Sequence, residues 1–335
     1  MSEDFKKMMF SGAQPTGNIH LGNYLGAVKN WAKIQDEYNC VLCVVDLHSI
    51  TMRQDPQVLR KACRDLLMMY IACGLDPEKN IIYYQSHVSA HSELAWILNC
   101  FTYIGELNRM TQFKDKSQKH GENINAGLLT YPVLQAADIL LYQTSYVAVG
   151  EDQKQHIEIT RDIAERFNKI YGDVFEIPDI LLGKHGSKVM GLQDPTRKMS
   201  KSEADNLNNI VYLSDDPKNI MNKIKRAVTD SGSEVIYSDD KPGIKNLLNI
   251  YMAFTGKTVA ECEKEFAGMG YGGFKTAVGE VVVDEAVKIQ AKFEELKNNK
   301  DYVDNIIKTN GEKANYIANR TLRKVKQKLG FPKTI

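Results

Sequence analysis

FSGAQPTGNIHLGNYLG, residues Phe10 to Gly26, is the stretch on which the reading of the chain turns. Apolar Met8 to Phe10 predicts a short buried strand. Gly12, Pro15 and Gly17 then break the chain before Leu21, Leu25, Val28 and Ala32 begin a stripe at helical spacing. A strand bent this sharply into a helix leaves backbone N–H groups and a positive dipole end facing outward, an arrangement suited to holding phosphate. His20 and Asn23 add side-chain donors there, although His20 could equally be a hydrogen-bonded histidine at a helix start.

Outward from that turn, strands and helices alternate. Strand Met8 to Ser11 precedes helix Leu21 to Gln35, strand Val41 to Leu47, helix Gln57 to Cys73, strand Ile81 to Gln85 and helix Ser92 to Phe101. This rhythm predicts an α/β fold, a doubly wound parallel (Rossmann-like) sheet that binds ligands at the carboxyl ends of its strands. Gln14 and His48 fall at such ends, and His48 could serve a pocket or simply cap its strand. Val147-Ala148-Val149 reads as a further buried strand. Gly150 to Gln153 then opens a helix with His156, Ile159, Ile163 and Phe167 on one face.

Composition sets bounds. With 335 residues, 43% of them hydrophobic, the chain can bury a sizeable core and build a large domain plus a smaller one. Lys+Arg number 43 and Asp+Glu 42, a net charge of +1, so nucleic-acid contact would rest on local clusters. MSEDFKKMMF is too charged for a signal peptide, and the apolar run Leu66 to Leu75 falls short of the roughly 18 residues of a membrane span. A cytoplasmic protein with no membrane role is expected. Cysteines stand at 40, 43, 63, 73, 100 and 262. Cys40 and Cys43 lie in an apolar run typical of a strand buried on both faces, which favours core packing over zinc, and no metal site is assigned.

A second segment changes the weight of the first. Arg197-Lys198-Met199-Ser200-Lys201-Ser202 sets cations and hydroxyls around one apolar side chain, after a loop marked by Pro195 and Thr196. Alone it could be a solvated basic turn. His-Leu-Gly-Asn early and Lys-Met-Ser-Lys-Ser late in one chain form a pair that seldom arises by chance. The pair resembles the two signatures of class I aminoacyl-tRNA synthetases. GAQPTGNIHLGNYLGAVKNW, GEDQKQHIEITRDIAERFN and IKRAVTDS are similar to the bacterial type of tryptophanyl-tRNA synthetase, colinearly over nearly the full length.

The resemblance implies activation of L-tryptophan by ATP to tryptophanyl-adenylate, then transfer to tRNA(Trp), with Mg²⁺ on the phosphates and a homodimer as the assembly. It implies catalytic roles for His20, Asn23, Lys198, Ser200, Lys201 and Ser202. Further ATP contacts are implied at Gln14, Pro15, Thr16, Gly22, Gly150, Glu151, Asp152, Val189 and Met199. Lys114 and Lys116, in the lysine-bearing segment Met110 to His120, would approach the phosphates; as lysines on a loop they could also be merely solvated. For tryptophan it implies Phe10, His48, Tyr131, Gln135, Asp138, Val147, Val149 and Gln153.

Asp138 lies among apolar residues at helical spacing from Tyr131, Leu134 and Gln135, where an unpaired charge is costly. An indole N–H would satisfy it. So would a backbone group or an arginine. Several bacterial relatives carry methionine where this chain has Gln135. A tyrosine phenol could also donate to Asp138; Phe10, with no second polar partner for a phenolic oxygen, favours tryptophan.

Beyond Glu203 the strand signals stop. Pro217 to Val228, Gly243 to Phe254, Val259 to Phe266, Phe274 to Lys297 and Val303 to Leu329 read as helices, with Thr258 capping the third. The expected division is a nucleotide-binding catalytic domain at 1–202, a helical domain binding the tRNA anticodon at 203–300, and a basic C-terminal helix at 301–335 packing back on the first. Residues 313–335 hold Lys313, Arg320, Arg323, Lys324, Lys326, Lys328 and Lys333 and no acidic residue. That one-sided charge suits tRNA phosphates, with salt-sensitive binding, better than a solvated face.

Overall fold

A computed structural model describes residues 6–15, 17–114, 124–181, 188–200 and 206–332, residue 151 by its backbone alone. Strands β1 (Met8–Ala13), β2 (Asn39–Val44), β3 (Ile81–Tyr84), β4 (Tyr146–Val147) and β5 (Asp179–Ile180) form one parallel sheet in the order β3-β2-β1-β4-β5. The chain therefore winds outward from β1 to one edge, then returns to the other side of it. The turn after β1 stands at the switch point of a doubly wound sheet, where ligands bind.

Both faces of the sheet are covered, as parallel strands require. Alternate side chains divide between two cores. Met9, Leu42, Val44 and Ile82 enter one, Phe10, Val41, Cys43 and Tyr83 the other. Cys40 and Cys43, three apart in β2, consequently sit in different cores. Burial pushes the Cys40 thiol up to about 12 and that of Cys43 well above its ordinary value.

The helix expected over Leu21 to Gln35 is a composite: α1 (Leu21–Asn23), a π-helical turn Tyr24–Val28, and α2 (Lys29–Ile34). The strand expected to reach Leu47 ends at Val44, because Asp46 starts the short helix α3 (Asp46–Ser49) and accepts hydrogen bonds from the backbone and hydroxyl of Ser86. Then follow α4 (Pro56–Ala72), α5 (Ala90–Asn99), α6 (Ile104–Asn108), α7 (Ala126–Leu140) and α8 (Lys154–Tyr171). The strand expected over Val147 to Val149 is only β4, and Glu151–Gln153 form a 3₁₀ turn before α8.

After β5 come α9 (Pro217–Lys225), α10 (Pro242–Thr255), α11 (Val259–Glu265), α12 (Gly270–Asn298) and α13 (Lys300–Leu329). Thr258 and Glu261 form a capping box at α11, satisfying two N–H groups reciprocally. Helix α12 packs on α9, α10 and α4. Helix α13 returns to the sheet edge, where Asn310 Oδ1 accepts from Ile82 N of β3 at 3.3 Å and Ala314, Ala318, Leu322 and Val325 enter the second core. Among the described residues no helix is long and apolar enough to cross a membrane.

Candidate functional site

Helix α7 carries Asp138 beneath the carboxyl edge of the sheet, 1% exposed. Its Oδ1 accepts from Gln85 Nε2 at 2.6 Å and lies 2.6 Å from His91 Nδ1; its Oδ2 lies 2.8 Å from His48 Nε2. Burial pushes the carboxyl pKa up, but the charges and hydrogen bonds of His48 and His91 outweigh it and leave the group below its ordinary range. Asp138 is therefore a carboxylate held by two imidazoles and an amide, not by backbone or arginine.

The donors are themselves fixed. His91 Nε2 is 3.0 Å from the Tyr83 hydroxyl and 3.1 Å from that of Tyr142, and burial holds both phenols protonated. Either phenol can meet Nε2, and the Nδ1 proton faces Asp138. Phe10 stacks on Tyr142 with centroids 5.9 Å apart, and His48 meets Tyr131 edge-on at 6.4 Å. Tyr131, whose phenol burial raises to about 12, keeps its hydroxyl 2.8 Å from His156 Nε2. Val147 is buried and Val149 half-buried above the same core.

From this pocket a polar line runs outward. Gln135 Nε2 donates to Gln153 Oε1 at 3.4 Å, Gln153 Nε2 to Asp152 Oδ2 at 2.9 Å, and Lys198 Nζ stands 3.9 Å from Asp152 Oδ1. Gln135 is thus the first link between the two halves of the site. Gln112 Nε2 reaches the Asp152 carbonyl at 3.4 Å, and Thr111 donates to Gln155, which brings exposed Lys114 to the same rim.

At the first signature, His20 caps α1: its Nδ1 accepts from Asn23 N at 3.2 Å, so the neutral ring carries its proton on Nε2. The plain reading of a capping histidine is thus true, and it orients a donor as well. Exposed Gln14 and buried Pro15 follow β1 directly, and Asn23 is exposed at the turn. The turn is braced from far along the chain, Leu21 N donating to Val211 O at 2.8 Å and Leu213 N to Ile19 O at 3.0 Å.

At the second, residues 189–199 form a hairpin closed by Gly191 N to Arg197 O at 2.9 Å and Met199 N to Val189 O at 3.0 Å. Val189 and Met199 are buried, Lys198 exposed and Ser200 half-buried. The two signatures lie side by side. A Cβ built on Gly22 would lie 3.6 Å from Met199 Cβ, ordinary packing distance, and 3.1 Å from the His20 ring, which is tight. Thr16, Lys116, Lys201 and Ser202 lie outside the described residues, as does the side chain of Glu151.

Gln85 and His91 escaped sequence reasoning. Gln85 follows β3 at its carboxyl end, the rule that picked out Gln14 and His48, so its signal was present. His91 sits one residue before the expected start of a helix and gave none.

Residues 4–285 match the profile of a family described as tRNA synthetases class I (W and Y). The chain is 57% identical over 329 residues to the tryptophan–tRNA ligase of Clostridium tetani (strain Massachusetts / E88), covering 98% of this chain and 97% of that one. Among solved structures it is similar to tryptophanyl-tRNA synthetase from Mycoplasma pneumoniae, with a TM-score of 0.90, 36% identity and 98% of each chain covered. The Campylobacter jejuni tryptophanyl-tRNA synthetase, complexed with ADP and tryptophan, aligns with a TM-score of 0.82 at 32% identity, over 97% of this chain and 100% of that one.

Proposed function

Because this chain belongs to the class I tRNA synthetases and is an ATP-dependent tryptophan–tRNA ligase, we propose that its two signature turns close on one ATP while Asp138 receives the indole. The observation that carries this reading is the approach of Gly22 to Met199, which supports bringing the N-terminal end of the helical run from Leu21 and the cations of the hairpin to one nucleotide.

In the activation step the tryptophan carboxylate attacks the α-phosphorus, forming an O–P bond as the bridging bond to the β-phosphate breaks and pyrophosphate leaves. That carboxylate is ionised at neutral pH, so no general base is needed. The chain's task is alignment and charge stabilisation. His20 and Asn23 serve the ribose and α-phosphate, Lys198, Ser200, Lys201 and Ser202 the pyrophosphate, and Lys114 and Lys116 approach the phosphates. Gln14, Pro15, Thr16 and Gly22 are further ATP contacts, Gly150, Glu151 and Asp152 contact the adenosine, and Val189 and Met199 bracket the adenine. Phe10, His48, Tyr131, Gln135, Val147 and Val149 enclose the indole, and Gln153 takes the ammonium group. The terminal ribose hydroxyl of tRNA then attacks the acyl carbon and displaces AMP.

The donor set here, lysines and hydroxyls, suits anionic oxygen rather than a cation, and among the described residues no group of three metal-ligating side chains occurs. Mg²⁺ therefore fits as an ion held mainly by the triphosphate, where it neutralises charge. Like the Campylobacter relative, this chain is expected to take an adenine nucleotide and tryptophan together. Its helical portion, 203–300, serves the anticodon, and the basic face of 301–335 the tRNA backbone. A homodimer, proposed from the resemblance, would show twice the chain mass in light scattering. The experiment for the whole reading is ATP–pyrophosphate exchange with each of the twenty amino acids. Tryptophan alone should support it, and exchange supported better by tyrosine would overturn the pocket assignment.

A further inference from the structure

The second signature hairpin is rooted in the helical part of the chain, not in the sheet. Asn246 on α10, 2% exposed, presents both ends of its amide to one residue: Oδ1 accepts from Met190 N at 2.8 Å and Nδ2 donates to Met190 O at 3.0 Å. This is the pairing a neighbouring strand would supply, made by a single side chain. Met190 in turn bridges Lys198 across the hairpin. Further along, Asn209 Oδ1 accepts from Gln193 N and Asp194 N at 2.8 and 3.1 Å, Val228 N donates to Leu192 O at 2.7 Å, and Gln193 Nε2 donates to Arg226 O at 2.9 Å. A Cβ on Gly191 would fall 2.2 Å from Asn209 Oδ1, so the hairpin lies as close to that anchor as backbone allows.

We propose that Asn246 is a positioning residue for ATP activation: its two-point grip on Met190 sets the register of the hairpin and hence where Lys198 and Ser200 stand. The inference rests on the reading of those two residues as ATP contacts. Only an amide can do this at that reach. A carboxylate keeps the acceptor but turns its second oxygen against the Met190 carbonyl, and alanine gives up both bonds. Displacing a reacting group by about 1 Å can cost on the order of 10²-fold in rate, so a hairpin set loose should be felt in the chemistry.

The test uses the full chain with Asn246→Ala, Asn246→Asp and, as reference, Lys198→Ala. Pyrophosphate exchange gives kcat and the KM for ATP, calorimetry gives tryptophan affinity without ATP, and a thermal melt reports folding. Both Asn246 variants should lower kcat/KM for ATP by roughly 10-fold to 10²-fold, with tryptophan affinity unchanged within about 2-fold, as expected of a distant site. Asn246→Asp, which keeps the side-chain volume, carries the test if the alanine variant fails to fold. Unchanged ATP kinetics beside an impaired Lys198→Ala would overturn the role of Asn246 alone. Parallel losses of both substrates and of melting temperature in both variants would reduce Asn246 to a structural residue. An unimpaired Lys198→Ala would sink the reading of the hairpin itself, and this inference with it.

Discussion

The pocket around Asp138 and the hairpin around Lys198 are built on opposite principles. Asp138, His91 and Gln85 are almost fully buried and every polar atom named on them in the site has a protein partner, so the slot is fixed before any substrate arrives. Lys198 and Asn23 are exposed, and the hairpin is held by backbone bridges and amide grips from elsewhere in the chain. The difference teaches how one site can select rigidly and still act on a large polyanion. Selection needs donors that cannot turn away, and a wrong ligand then leaves buried groups unpaired. Phosphate needs mobile, strongly hydrated cations that settle on charge as it develops.

The harshest way to break that contrast is Asp138→Asn. It strands one donor among His48, His91 and Gln85, and removing one member of a buried ionic cluster typically costs about 3–5 kcal/mol. Denaturant unfolding should show that loss, and tryptophan-dependent exchange should collapse with it. A variant of wild-type stability would mean the pocket is not preorganised by this carboxylate.

Lys201→Ala is the counterpart on the other side. It should lower the activation rate by roughly 10² to 10³, the size of one lost transition-state donor, while the melt stays within experimental scatter. An unchanged exchange rate would remove that lysine from the mechanism.

The pH profile sharpens the contrast further. Asp138 has a folded-state pKa below its ordinary value, so its stabilisation is complete above the unfolded-state pKa of about 3.9 and is lost as pH falls through the folded value. The gap in unfolding free energy between wild type and Asp138→Asn should thus be constant at neutral pH and narrow only below about pH 4. A gap that closed at neutral pH would detach the effect from this carboxylate.

The mildest effect belongs to the basic face of α13. Replacing Arg323 by alanine should weaken tRNA binding across sequences and reduce the slope of log affinity against log salt by about 1. A salt slope unaltered by that change would place the phosphate contacts elsewhere.

How much of this was legible in the sequence follows the same divide. The parallel sheet was readable because strands buried on both faces leave continuous apolar runs, as in Cys40 to Val45. The signature turns were readable because their chemistry is local. Asp138 could be singled out by its apolar neighbours, but its partners could not, since His48, Gln85 and His91 come from three separate connections that only the tertiary fold unites. The π-helical turn Tyr24–Val28 left no local mark either; it places the Tyr24 hydroxyl on Glu285 of α12, far away in sequence. Asn246 is the extreme case, an ordinary amide in an amphipathic helix whose meaning lies wholly in the loop it grips.

The bare backbone at position 22 is a clearance gap between two jaws. Its width is about one methyl group, and it ties histidine, glycine and methionine at positions 20, 22 and 199 into a single tolerance. A methyl there would meet Met199 at ordinary packing distance and crowd only the His20 ring, so Gly22→Ala offers a way to press on the capping histidine without touching a charged group.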